Sequence, residues 1–167
     1  LGGRQCVLGG IHVGLLRDPR LCLAQTMVLM LKLQMAAAEP YMDAAENALA
    51  ATEGPAALGL RGELLAMRAH VAAERGIYAD ALSLARQALT LLPAEEHWAR
   101  SNCGFLLGYA LYVLGHTTEA IAVLAENVGV CRAAGNVVYA FFSATEVTKL
   151  RVLQGRLAAA RAFAEHA

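Results

Sequence analysis

The sequence is poor in charged residues, and in lysine above all. Only 17% of its 167 residues are charged, 14 basic side chains balance 14 acidic ones, and Lys32 and Lys149 are the two lysines. Because proteins that hold nucleic acid need a surplus of Lys and Arg against phosphates, we expect no direct nucleic-acid contact by this segment. The 57% of apolar residues excludes intrinsic disorder, since such a chain buries ample apolar surface.

Long apolar runs and paired cysteines are missing as well. The two most apolar stretches, residues 21–38 and 101–118, are interrupted by polar residues and glycines, so we expect no membrane span and no signal peptide. The cysteines Cys6, Cys22, Cys103 and Cys131 stand far apart without a CxxC pair, which predicts buried thiols in a reducing compartment. We therefore expect a cytoplasmic protein.

Catalytic motifs are also absent from the sequence. It contains no Gly-rich phosphate loop with its lysine, no nucleophile elbow and no His-Glu-x-x-His. His70 and Glu74 are four residues apart, so their side chains could meet on one helix face, either as a general base with its carboxylate or as a plain polar pair. We expect the second, and hence no enzyme, no metal and no cofactor.

The residues that are present predict helices almost throughout. Alanine and leucine dominate, proline occurs four times, and no long run alternates with the period of a strand. Residues 1–17 contain five glycines and are predicted to be irregular or weakly helical. Residues 18–167 are predicted to form about four antiparallel helix pairs, with helices over residues 21–34, 40–51, 56–75, 78–92, 94–114, 117–134, 137–153 and from 156 onward.

An internal repeat organises these helices. Gly76, Gly115 and Gly155 recur every 39 or 40 residues, and an alanine follows each glycine five residues later. Glycine permits the tight turn between two helices, and alanine allows the second helix to approach the first closely. The segment around residues 43–45 is predicted to be a degenerate copy, with Pro40 in the place of the glycine.

Residues 76–93 resemble the second half of a tetratricopeptide repeat, with Ala81, Ala88 and Pro93 at the expected positions. The period near 40 exceeds the usual 34. The repeat also has a helix break at residues 132–136 and a characteristic junction segment at residues 89–101. In these features it is similar to the enlarged repeats of the large ATP-dependent LuxR-type transcriptional regulators. The resemblance implies an all-α, right-handed superhelix that is a piece of a longer protein with ATPase and helix-turn-helix modules.

By helical spacing and by analogy with that family, the first helix of each pair lines a concave groove. The predicted groove is aromatic in the middle and polar at its flanks, and the alternative is that Phe105, Tyr112 and Phe142 are ordinary interhelix packing. The residues predicted to contact a ligand or partner are Gln34, Glu63, His70, Asn102, Phe105, Tyr109, Tyr112, Phe142 and Lys149.

The resemblance implies a non-catalytic repeat domain that senses an effector or docks a protein within a LuxR-type regulator. The alternative is a stand-alone scaffold that binds a peptide or partner protein. We expect the occupant of the groove to be a small-molecule effector, a peptide or a protein. A homo-oligomer is also expected, because the final helix carries Leu157, Ala160, Phe163 and Ala164 at helical spacing with no following repeat to cover them.

Overall fold

The computed structural model describes residues 17–166, and over this part of the chain it contains eight α-helices joined by short turns. The prediction of eight helices in antiparallel pairs is confirmed there. The segment expected to be irregular falls almost entirely on residues 1–16, which include Cys6. These residues and Ala167 lie outside the described residues. The helices are α1 (Pro19–Leu31), α2 (Met35–Ala50), α3 (Pro55–Glu74), α4 (Tyr78–Leu91), α5 (His97–Val113), α6 (Thr117–Ala133), α7 (Val137–Leu153) and α8 (Leu157–His166).

The helices stack as a solenoid with an inner and an outer layer. Each helix packs against the next one along the chain. In addition, α1 packs against α3, α3 against α5, and α5 against α7. The first helices of the four pairs therefore form one continuous inner layer, while the second helices lie outside it. No helix among residues 17–166 is long and apolar enough to cross a membrane.

The glycine and alanine positions of the repeat have the predicted roles. Gly76, Gly115 and Gly155 each follow the end of a first helix and have positive φ angles of 76°, 90° and 73°. The alanines five residues later, Ala81, Ala120 and Ala160, are buried between the two helices of their pair. A glycine adopts this left-handed backbone without the steric penalty of a Cβ atom.

The copy predicted around Pro40 is wrong, because the turn of the first pair lies seven residues earlier. Helix α1 ends at Leu31, and Leu33 has a φ of 57°, the only non-glycine with a positive φ among the described residues. The amides of Leu33 and Gln34 donate to the carbonyls of Met30 and Leu29, both at 2.9 Å, which closes the helix end as a Schellman motif. The buried alanine of this pair is Ala38, and Pro40 lies inside α2.

We expect Leu33→Gly to raise the free energy of unfolding by about 1 kcal/mol, because a left-handed conformation is strained for a residue with a Cβ atom. The leucine side chain is 83% exposed, so its loss costs little packing. Chemical denaturation of the two proteins measures the change. A Leu33→Ala variant, which keeps the Cβ atom, should show no comparable gain, and equal stabilisation by both substitutions would contradict this explanation.

Two arginines join successive pairs in the same way. Arg61 on α3 donates to the carbonyls of Leu49 and Thr52 at the end of α2, at 2.8 and 3.0 Å. Arg100 on α5, 39 residues later, donates to Leu89 and Leu92 at the end of α4, at 3.3 and 2.8 Å. Both guanidinium groups donate to carbonyls at a helix end, where intrahelical donors become scarce. The bonds fix the orientation of each first helix on the pair before it.

The third junction uses a buried amide instead of an arginine. Asn127 on α6 donates through Nδ2 to the carbonyl of Ser101 on α5 and to Oγ of Ser143 on α7, both at 3.0 Å. All three residues are buried. Because a buried amide is costly without partners, these bonds favour one alignment of α5, α6 and α7, the helices that carry most of the candidate site.

Candidate functional site

Most of the aromatic residues of the chain lie together on the inner layer. Ten aromatic residues occur in the sequence, and eight of them form one connected cluster in which neighbouring ring centroids are 5.8–6.3 Å apart. Tyr78 and Phe141 lie at its edges. We call the remaining six the aromatic groove: Trp98, Phe105, Tyr109 and Tyr112 of α5, and Tyr139 and Phe142 of α7.

Phe105 is the centre of the aromatic groove. Its ring is stacked on Tyr109, with centroids 6.0 Å apart and an interplanar angle of 23°. It also meets the rings of Tyr139 at 6.1 Å and Phe142 at 5.8 Å across the gap between α5 and α7. Trp98 contacts Tyr139 edge-on at 5.9 Å. These rings join two first helices by contacts that are worth more than their buried area alone.

One cation borders the aromatic groove. The ammonium group of Lys149 lies 6.0 Å from the ring centre of Tyr109 and 5.5 Å from that of Tyr112, within the range of cation–π attraction. Lys149 also pairs with the carboxylate of Glu146. Burial is the main cause that raises the pKa of Tyr109, and it raises the pKa of Tyr139 to about 12. Both hydroxyls are therefore neutral at physiological pH and can donate hydrogen bonds.

The structure brings together five of the residues predicted from the sequence. Phe105, Tyr109, Tyr112, Phe142 and Lys149 contact one another through the aromatic and cation–π pairs described above. None of the four rings is fully buried, and Phe142 is 45% exposed. They pack between helices and also present surface, so the two roles considered for them coexist.

Two predicted groove residues are placed differently. Gln34 is not on α1, because that helix ends at Leu31; it is the exposed residue that precedes α2. Asn102 is only 1% exposed, so it lies in the interior of the protein. Its replacement is therefore a change in the interior of the protein, not a change of an open surface.

Trp98 and Tyr139 belong to the aromatic groove but were not predicted from the sequence. Both continue a stripe that was identified, since Trp98 precedes Phe105 by seven residues and Tyr139 precedes Phe142 by three. Each stripe reaches Trp98 or Tyr139 when it is extended by one or two helical turns toward the start of its helix. Trp98 lies in the first turn of α5 and Tyr139 in the first turn of α7, at the start of each stripe.

Glu63 lies in a cleft at the other end of the inner layer. This Glu63 cleft, of about 590 Å³, lies between α1, α3 and the segment before α5, and its charged lining residues are Arg20, Glu63 and Glu96. A smaller recess that Glu63, Glu96 and Met27 also line reaches Trp98. Burial first, and then the negative charge of Glu96, raises the pKa of Glu63, which Arg20 partly offsets. The cleft thus adjoins the aromatic groove.

His70 and Glu74 form a loose pair on α3, with Nε2 of the histidine 3.9 Å from Oε1 of the glutamate. This contact is too long for a hydrogen bond. Residues 17–166 contain no group of three His, Cys, Asp or Glu side chains that could hold a metal ion. Cys22, Cys103 and Cys131 are buried, as predicted, and form no disulfide among the described residues, and burial raises the pKa of Cys103 to about 12.

A cavity of about 810 Å³ lies at the end of the solenoid beside α7 and α8. Ala144 and Thr148 line the cavity. They occupy the same repeat positions as Gly104 and Gly108 of the preceding pair. In that pair, Asn127 of α6 covers Gly104 and Leu124 of α6 covers Gly108. The cavity therefore lies over the interhelix contact positions of the fourth pair.

The face of α8 that was expected to mediate association is partly turned inward. Ala160 is buried, and Phe163 is half-buried against the core with the guanidinium of Arg151 4.6 Å from its ring centre. Phe163 is thus part of the packing. Leu157 and Ala164 are the exposed members of that group.

A solenoid of helix pairs with glycine turns, buried alanines and an aromatic inner face is a tetratricopeptide-like repeat domain. The family model described as the MalT-like TPR region matches residues 62–167, more than half of the chain. The chain therefore belongs to the MalT-like TPR region family.

A characterised relative supports the same assignment. The HTH-type transcriptional regulator MalT of Yersinia enterocolitica is 25% identical over 156 residues, which are 93% of this chain and 17% of that protein. The chain thus spans about a sixth of the length of this relative. No solved structure matches the chain.

Proposed function

We propose that the chain is a non-catalytic, ligand-binding repeat domain of a cytoplasmic LuxR-type transcriptional regulator, and that the aromatic groove is its binding site. The observation that supports this most is the aromatic groove itself, since six rings and a lysine converge on the inner layer. Tyrosine and tryptophan supply large contact area at a small entropic cost. Family membership and the MalT relative support the regulatory setting.

The mechanism that we propose is conformational. The rings bridge α5 and α7, which belong to different helix pairs, so a ligand inserted among them changes the angle between the third and fourth pairs. In a solenoid a small rotation per repeat alters the curvature of the whole array. A small-molecule effector or a peptide could bias neighbouring ATPase and DNA-binding modules in this way, whereas a stand-alone scaffold would use the same groove only to hold its partner.

A thermal-shift screen of small metabolites and short peptides tests this function, because a compound that binds only the native state raises its apparent stability. We expect Phe142→Ala to weaken the binding of a hit by about tenfold, as for a central aromatic contact, with little loss of fold because the ring is 45% exposed.

Phe141→Ala is the matched control. This ring is adjacent in sequence and 65% exposed, but it lines the end cavity. The hit should bind the control with nearly unchanged affinity in calorimetry. Equal losses in both variants, or binding that is indifferent to Phe142, would refute the groove as the site. A screen in which only peptides bind would favour the scaffold.

A further inference from the structure

Helix α1 carries a row of exposed non-polar side chains. Members of the row recur every three or four residues and so share one face of the helix. Leu21 is 46% exposed, Val28 42% and Leu31 74%. A contiguous exposed non-polar face on a soluble protein marks a surface that contacts another molecule. We call this row the start face: Leu21, Ala24, Val28 and Leu31.

The start face occupies repeat positions that are buried in the first helices of later pairs. At twelve, nine and five residues before the positive-φ residue that ends each helix, α1 carries three members of the start face and α3 carries Leu64, Met67 and Val71. These α3 residues are buried in one cluster with residues of α1 and α2. In α5 the first two positions hold Cys103 and Leu106, which are buried with residues of α3 and α4. The start face is therefore the half of a pair-to-pair interface that packs on a preceding pair.

The opposite half of that interface is accessible at the other end of the solenoid. Thr145 and Lys149 line the cavity of about 810 Å³ beside α7 and α8, and they occupy the repeat positions of Phe105 and Tyr109. Phe105 and Tyr109 contact α7, the first helix of the following pair. The cavity thus lies where the first helix of a further pair would pack. We call the following α7 residues of its lining the end face: Phe141, Ala144, Thr145, Thr148 and Lys149.

We propose that the chain associates head to tail, with the start face of one copy packed on the end face of the next. Every copy carries both halves of the interface, and each half has the repeat spacing of the interfaces within the chain. The start face has no charged member, and Lys149, the one charge of the end face, is paired with Glu146. The contact therefore buries no unpaired charge, which would be costly. This proposal goes beyond the proposed function, because both faces lie outside the aromatic groove.

The geometry of the contact determines the kind of assembly. Two different faces meet, so each added copy leaves one face of each kind accessible, and the assembly does not close. In sedimentation velocity runs on the whole chain, the mass should rise with protein concentration beyond that of a dimer. A symmetric pairing of two start faces would instead stop at a dimer.

Val28→Glu and Phe141→Glu test the two faces separately. Each substitution places a carboxylate in a non-polar contact, where its desolvation is unfavourable. Each variant alone should self-associate at least tenfold more weakly than the wild-type chain. A one-to-one mixture should form a dimer and stop there, because the start face of the Phe141→Glu protein and the end face of the Val28→Glu protein are both unaltered.

Val130→Glu is the matched control, because Val130 is 42% exposed like Val28 and lies on α6, outside both faces. It should associate like the wild-type chain. Circular dichroism melts establish that each variant is folded, and Leu31→Glu tests the start face if Val28→Glu does not fold. A wild-type chain that is monomeric or stops at a dimer, a mixture that stays monomeric, or a control as impaired as the face variants would overturn the proposal.

Discussion

Replacing Gly108 with alanine is expected to lower the free energy of unfolding by about 2 kcal/mol, although alanine is the better helix former. A Cβ atom at this position would lie 2.4 Å from Cγ and 2.7 Å from Cδ2 of Leu124. Leu124 is fully buried and cannot withdraw, so α5 and α6 must separate. Urea denaturation monitored by circular dichroism measures the loss.

Gly129→Ala is the control for helix propensity. Gly129 lies inside α6, and a Cβ atom there would meet nothing within 4 Å. The same substitution should therefore raise stability by about 0.5–1 kcal/mol through propensity alone. If both substitutions raise stability, or both lower it, close packing against Leu124 is not the reason that position 108 carries a glycine.

The second large effect is expected at Gly104 and Asn127, which contact each other between α5 and α6. A Cβ atom on Gly104 would lie 2.2 Å from Oδ1 and 2.6 Å from Cγ of Asn127. Gly104→Ala should cost about 2 kcal/mol by displacing this amide from its two hydrogen bonds. Asn127→Ala should cost a similar amount by removing the bonds to Ser101 and Ser143 altogether.

The double variant distinguishes this coupling from two independent losses. Once Asn127 is shortened, the alanine at position 104 has room, so the cost of the pair should fall at least 1 kcal/mol below the sum of the single costs. This sign is expected of residues in direct contact. Additive costs in a double-mutant cycle would show that the two positions are not coupled.

These two sites explain departures within the repeat. One repeat earlier, Ala69 stands where Gly108 stands, and its counterpart to Leu124 is the smaller Ala85; both alanines are buried. Similarly, Leu65 and Ala88 occupy the places of Gly104 and Asn127. The second and third pairs thus use different side-chain combinations at these two interhelix contacts.

Much of the fold could be predicted from local signals. The alanine and leucine content, the turn glycines and the spacing of Gly76, Gly115 and Gly155 determine eight helices in pairs, because each signal acts within one turn or one helix. The first pair was the exception, since its turn uses Leu33 and no glycine marked it. Tertiary packing of α1 and α2 overrides the intrinsic penalty there.

The sequence by itself also determined one face of α5, because Phe105, Tyr109 and Tyr112 recur at helical spacing. Only the tertiary structure decided that Trp98 and Tyr139 join them and that Asn102 lies inside. It likewise decided that Glu63 and Glu96, 33 positions apart in the chain, line one cleft with Trp98. Periodicity reports which residues share a helix face, whereas the angle at which helices pack determines which faces meet, and that angle depends on contacts such as Gly108 with Leu124.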